Sequence, residues 1–460
     1  MDIRFTASAR HTNLALGLFA SVMGACALAS ARLRDGGLPQ YPSEHLSHPQ
    51  VSSEVFFTAA RDAFQKDLAD NVGFEYLRAC VLLALTSIQW GHIGSMQQYM
   101  GMFFTMATMQ RLYDERFWGE DIAPNDLEIR RRIYWCAYSL DVYSATIWNC
   151  FFRSQEEHTN VRYPGENDGQ EALPESHSNS PSWMIGWNFA TDLYRVLEHA
   201  LSKVRARKFF HADRRQVDGL VFQDQFDDQK VMQTILGMYY ELPAKFKETP
   251  PMTGDMRRDI YAYQAANIQA TLQLVRVIMF SMDDGAGVDR KCDVVTEVLS
   301  VFHTIPREYL RGISMPLIYH LGHIGQVLAS VIDEHLTEAR YQRVRTCVLS
   351  LADLVETLEQ GLSRAAGATV RLRESVDKLD TYMQQIARSN QQGHLQQMTL
   401  QPSPAQVRFT GHHGVIGQQE QAGLTNSDFQ LPPELFGDWS WPPEFVIPNG
   451  PPYYIGNNQL

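Results

Sequence analysis

The sequence predicts an all-α protein, a large irregular helical bundle followed by a disordered C-terminal tail. Three observations predict it. Apolar residues recur at three- and four-residue spacings in segment after segment up to about residue 390. No run alternates apolar and polar residues into a tight hairpin turn, and no strand leads through a glycine loop into a helix. After about residue 390 the composition turns to Gln, Gly, His and Ser, too polar to bury a core.

Residues 11–31 open the body. Arg4 and Arg10 precede an uncharged run whose apolar part is TNLALGLFASVMGACALASA. A basic start, an apolar middle and Ala27, Ala29 and Ala31 in an A-x-A-like order fit a secretory signal, and the length fits a short membrane span. The run is rich in Ala, Gly and Ser rather than Leu and Ile, and Asn13, Ser21 and Ser30 weaken it further, which favours a buried core helix. Residues 52–67 carry Val55, Phe56, Phe57, Ala60 and Phe64. In 73–90, Leu77, Val81, Leu85 and Ile88 follow at four, four and three. In 95–113, Tyr99, Met102, Met106, Met109 and Tyr113 share one side and Met100, Phe104 and Ala107 another, so this helix is expected to be buried on more than one side.

The segment 125–150 is the most informative. Ile129, Ile133, Cys136, Leu140, Ser144 and Ile147 form one stripe, and Trp135, Tyr138 and Val142 a second on the opposite side. A helix with two apolar stripes runs through the middle of a bundle. Asn125 and Glu128 have the spacing of a capping box at its start. Residues 152–183 are polar and rich in Pro and Gly, a long loop with Glu156, Glu157 and His158 as a solvated patch. Helices resume at 184–208, 225–241, 256–283 and 288–302, weaken at 315–333, and end with a strong pair at 337–362 and 368–389. In the last, Leu372, Val376, Leu379, Met383 and Ile386 make a heptad-like seam for a neighbouring helix.

Composition limits the function. A length of 460 residues allows about three domains or one large helical body. Lys and Arg number 40 against 52 Asp and Glu, and the net charge of −12 argues against a surface that coats nucleic acid. The cysteines at 26, 80, 136, 150, 292 and 347 contain no C-x-x-C, so a zinc ribbon, zinc cluster or thioredoxin-like motif is ruled out as a local site, and buried free thiols in a reducing compartment are expected.

The sequence holds no nucleophile elbow, phosphate loop or H-E-x-x-H motif. His320 and His323 stand at helical spacing with no evident third ligand, which favours hydrogen-bonded core histidines over a metal site. Arg130, Arg131 and Arg132 fan about 100° apart around their helix, so at least one points inward. Asp141 lies too far along the axis to bridge to them, and both sides are expected to find partners on other helices. The one dense basic run holds Lys203, Arg205, Arg207, Lys208, Arg214 and Arg215. It reads as a solvated helix end and loop, or as a nuclear import signal or phosphate contact.

In the tail, residues 428–445 interleave Phe429, Leu431, Leu435, Phe436, Trp439, Trp441 and Phe445 with Asp428, Glu434, Asp438 and Glu444. Acids keep such aromatics solvated until a partner groove accepts them, as in an activation segment. Docking of Trp439 and Trp441 back onto the body is the other open reading.

EIRRRIYWCAYSLDVYSA, Glu128 to Ala145, resembles the signature helix of the regulatory (middle homology) domain of fungal zinc-cluster transcription factors, with consecutive arginines, then Tyr134 and Trp135, then Leu140 and Asp141. Residues 13–33, Ser53 to Phe64, Tyr76 to Glu115 and Ile235 to Phe246 resemble that domain's other helices in order, so the likeness covers about residues 10–390. Two features depart from the family. The usual Gly-Arg-Pro after the signature helix is replaced by WNCFFRS, and the zinc cluster that normally precedes the domain is not in this chain. Either the start is truncated or the protein lacks its own DNA reader.

The resemblance implies a nuclear regulator of fungal metabolic or biosynthetic genes, not an enzyme. Its body, residues 1–390, would respond to a small-molecule or protein partner, and its tail, 391–460, would contact transcription machinery. DNA would be reached only indirectly, through a related DNA-binding factor. No cofactor is expected in this chain, since zinc belongs to the absent module, and no membrane. The Met-rich helix 95–113 could line an adaptable pocket, though core filling fits it better. The rival from another class is a secreted or membrane-associated helical enzyme, with 11–31 as signal or anchor.

Overall fold

Helical periodicity in the sequence becomes thirteen α-helices and no strand among the residues that the computed structural model describes. These residues are 2–37, 51–71, 73–165, 181–208, 228–280, 287–329, 337–360, 362 and 367–399. In order the helices are α1 (Asp2–Arg34), α2 (Ser53–Asp62), α3 (Phe74–Gln89), α4 (Ile93–Met109), α5 (Pro124–Trp148), α6 (Met184–Lys208) and α7 (Asp228–Glu241). Then follow α8 (Met256–Phe280), α9 (Val288–Thr304), α10 (Arg307–Ile313), α11 (Met315–Ala329), α12 (Glu338–Glu359) and α13 (Ala368–Thr399). One apolar core runs through them from Ala60 to Leu379.

Helix α1 packs on α2 and α3. Small residues allow the close approach: a Cβ on Gly17 would stand 3.1 Å from the Tyr76 ring, and one on Gly24 3.2 Å from the Leu82 side chain. Ser53 Oγ donates to the Ala27 carbonyl at 2.6 Å, and Arg32 reaches the Gly312 carbonyl at 2.8 Å. The expected core helix is therefore only partly buried. Ala20, Ala27 and Ala31 are sealed, while Leu14, Leu18, Phe19 and Val22 face outward. Residues Thr12–Arg34 have the length and mean hydropathy, 1.9, of a membrane span, with a third of the segment buried against protein.

Helix α5 does run through the middle, touching α3, α4, α6 and α11. Every residue from Leu140 to Ile147 is buried. Its start differs from the expected capping box. Ala123 is the N-cap and Pro124 takes the first helical position, where its fixed φ and missing N–H suit the first turn. Asn125 thus falls inside the helix, and Glu128 is free for other partners.

Helix α11, the weakest in the sequence, is the hub. It meets α3, α5, α8, α9, α10, α12 and α13, and buries Met315, Leu317, Ile318, Tyr319, Leu321 and Ile324. The short α10 before it was not expected. In α4, Met96, Met100, Phe103 and Met106 fill the core, whereas Met109 is exposed. Helix α13 seats Leu372, Val376 and Leu379 on α12, as the seam predicts, and continues to Thr399, into the segment expected to be disordered.

Candidate functional site

The arginine run sits where α5 leaves the surface and enters the core. Arg131 is buried, as the fan requires of at least one of the three. Its Nε and Nη2 donate to the two carboxylate oxygens of Glu115, at 2.8 and 2.9 Å, and its Nη1 to Glu128 at 2.6 Å. Glu115 also accepts from the Arg162 backbone and guanidinium, both at 2.8 Å. Burial alone would raise the Glu115 carboxyl, but the donors from Arg131 and Arg162 outweigh it and hold the group at about 2. Arg130 lies over Phe74 and Trp118, and Arg132 over Trp183, so the flanking guanidinium groups pack on aromatic faces.

About three turns on, Asp141 is fully buried. It accepts from the Arg153 backbone and guanidinium, each at 2.7 Å, and from the Ser154 backbone at 3.3 Å. Burial pushes the carboxyl up, against the pull of these donors. The expected interhelical partners are therefore not what the fold supplies. Asp141 pairs with the segment just after its own helix, and Arg131 with a short turn before it and with Glu128 one turn back. Arg153 also donates to Gln97 on α4.

The segment 150–165 forms a strap along α5 and α6. Trp135 Nε1 donates to the Arg162 carbonyl at 3.0 Å, Tyr134 shares its hydroxyl with Ser154 and Thr159, and Glu128 accepts from the Gly165 amide at 2.6 Å. Glu156 is not solvated as expected: it holds Arg195 and His199 on α6, while Glu157 and His158 are exposed. Tyr138 donates to the buried Glu198 at 2.5 Å, and burial with this carboxylate pushes the phenol far up. A bridge between Asp114 and Asn160 fastens the strap's middle.

The altered turn after α5 is built from Asn149, which takes the left-handed conformation at φ 52° that glycine ordinarily supplies. Arg205 caps this helix end, donating to the Ala145 carbonyl at 2.8 Å and to Asn149 Oδ1 at 3.2 Å while lying over Phe152. The fold thus withdraws Arg205 from the basic run. Lys203 is half-buried on α6, Arg207 and Lys208 end that helix, and Arg214 and Arg215 lie outside the described residues. Phe429, Leu435, Phe436, Trp439 and Trp441 also lie outside them.

A second polar junction joins distant segments. Gln89 Nε2, at the end of α3, donates to Asp35 and Ser314, both at 2.7 Å, and Tyr143 on α5 donates to the Pro316 carbonyl at 2.6 Å. Ser314, between α10 and α11, has φ 65°. His320 is buried with its ring edge-on to Phe302.

Sequence reasoning singled out Arg131, Trp135 and Asp141 but missed Glu115, Arg153, Arg162 and Glu198. Their only signal is that a buried charge needs a partner, which does not say which one. The arrangement does one thing chemically: carboxylates are consumed by guanidinium groups and backbone amides, which fixes the strap.

The signature residues of α5 are thus interior struts of an all-helical scaffold. The family model of the fungal specific transcription factor domain matches residues 7–243, just over half of the 460-residue chain, and the chain belongs to that family. The family is one of transcription regulators, not of enzymes. No curated protein and no solved structure matches the chain.

Proposed function

We propose that the chain is the regulatory part of a nuclear fungal transcription regulator that controls metabolic or biosynthetic genes. The family match carries this reading. Within residues 1–460 no closely spaced cysteines form a zinc cluster, so this stretch reaches DNA through another module or a related DNA-binding partner. The strap is the element on which a small-molecule or protein effector acts. Polar contacts hold it to α5 and α6 with Val161, Phe152 and Tyr163 packed on the core, and it is short enough to open as a local unit without opening the whole bundle. The acidic-aromatic segment 428–445 contacts the transcription machinery.

The test is a reporter assay with the chain fused to a heterologous DNA-binding module. The fusion changes reporter output, and deletion of 428–445 removes the change. A fusion without effect on the reporter, or secretory rather than nuclear staining of a fluorescent fusion, overturns the reading. The purified chain gives no sequence-specific mobility shift, and a specific salt-resistant complex would refute that part.

A further inference from the structure

Among the described residues, the outward face of α1 is an extended apolar surface that the regulatory reading leaves unused. From Thr12 to Ala31 the helix carries no charged side chain. Leu14, Leu18, Phe19 and Val22 are 56, 51, 46 and 47% exposed, and Ala15, Ala25 and Ala29 are exposed beside them. Val51, whose carbonyl accepts from Ser30 at 3.1 Å, extends the face at 49% exposure. Together these groups present on the order of 600 Å², at the upper end of what a monomer ordinarily shows in one patch.

We propose that this face is a homodimer interface, α1 of one copy packing on α1 of a second. Three observations favour a second copy over other occupants. Ala15, Leu18, Val22, Ala25 and Ala29 follow at three, four, three and four, the spacing with which two like helices interlock, and the alanines let the backbones approach. Full coverage of two such faces would bury at most about 1,200 Å², which reaches the lower bound for a specific interface. The face is uncharged, so it does not repel its own copy.

The tail segment 428–445 fits less well, because its Asp428, Glu434, Asp438 and Glu444 would meet no basic complement along this stretch. A bilayer fits less well too. The opposite face of α1 is committed to protein through Gly17, Gly24 and the Arg32 contact to Gly312, and spanning would strip those contacts.

The test measures the molar mass of the full chain by light scattering or sedimentation between about 1 and 100 µM. The wild type moves from 52.4 kDa toward twice that value. Because both copies carry a net charge of −12, added salt strengthens the pair. Val22→Glu and Leu18→Glu weaken it at least tenfold. Both residues face water, so the variants keep the wild-type circular dichroism and melting temperature. Val55→Glu, exposed on the neighbouring helix, serves as the control that leaves the dimer intact.

A wild type that stays monomeric overturns the proposal. So does a dimer indifferent to Val22→Glu. So does a chain that floats with phosphatidylcholine vesicles through Val22 instead of pairing. A wild type that dimerises only after deletion of 428–445 assigns the face to the tail and overturns it as well. None of these outcomes bears on the reporter assay, so the two readings fail separately.

Discussion

Glu115→Gln removes the charge from a carboxylate that ties two arginines together. Glu115 holds Arg131 through two hydrogen bonds and Arg162 through two more, and its side chain is 13% exposed. The folded carboxyl titrates at about 2 against an ordinary 4.5. At about 1.4 kcal/mol per pH unit the difference comes to about 3 kcal/mol. Because the folded value lies below the unfolded one, this stabilisation is fully present above pH 4.5 and is lost as the pH falls toward 2. At pH 3.5 about 2 kcal/mol remains.

Urea unfolding of the full chain, followed by helical circular dichroism, compares the variant with the wild type at both pH values. The expected gap is about 3 kcal/mol at pH 7, or roughly 4 °C in melting temperature for a body of about 390 residues. It narrows by about 1 kcal/mol at pH 3.5. A gap under about 1 kcal/mol at pH 7 would place Glu115 among ordinary surface pairs. A gap that does not narrow with acid would mean that its charge is not what stabilises the strap.

Asp141→Ala leaves Arg153 without its carboxylate in a buried setting and is expected to cost about 3–5 kcal/mol in the same unfolding assay, and a loss below about 1 kcal/mol contradicts the assignment. Gly186→Ala brings a Cβ to 2.5 Å from both Gln264 Oε1 and the Phe246 ring, so it is expected to destabilise by about 1–3 kcal/mol and to speed limited proteolysis near α6, whereas an unchanged melting temperature would show that the ring can move aside. Cys80 is fully buried and burial pushes its thiol up, so at pH 8 it resists a thiol reagent in the folded chain and reacts on unfolding; labelling of Cys80 ahead of the part-exposed Cys26 and Cys150, read by peptide mass, would refute that placement.

What the sequence made legible is the set of elements with an uneven apolar pattern. Helix α5 announces itself because two stripes on opposite sides require burial on both, and the structure buries every residue from Leu140 to Ile147. Helix α13 does so through Leu372, Val376 and Leu379. Helix α11 is the converse. MPLIYHLGHIGQVLA is apolar all round, so it has no period to detect, and its weak signal came from its central position. Helix α1 misled in another way, since Leu14, Leu18 and Val22 look like core residues in the sequence and yet are exposed in the structure. The strap was illegible because polar bonds place it, and polar bonds leave no periodic trace. Nothing in the order of Arg153, Glu156 and Arg162 reveals that they pair with Asp141, Arg195 and Glu115.

The pairing itself explains why charged residues occupy such costly positions. A buried ion pair adds little stability over apolar side chains of the same size, because desolvation cancels much of the attraction. What it adds is selectivity among alignments. Glu115 accepts from Arg131 and Arg162 only when the strap lies in one register, and Asp141 accepts from Arg153 and Ser154 only in that same register. A slip of one residue would break both sets at once and leave buried carboxylates unpaired. Trp135 adds a third check through the Arg162 carbonyl. The signature residues of α5 thus act together as a lock on one short segment, and residues 150–165 are held in a single arrangement by these contacts. Because the contacts share one register, the loss of any one of them is expected to loosen the rest.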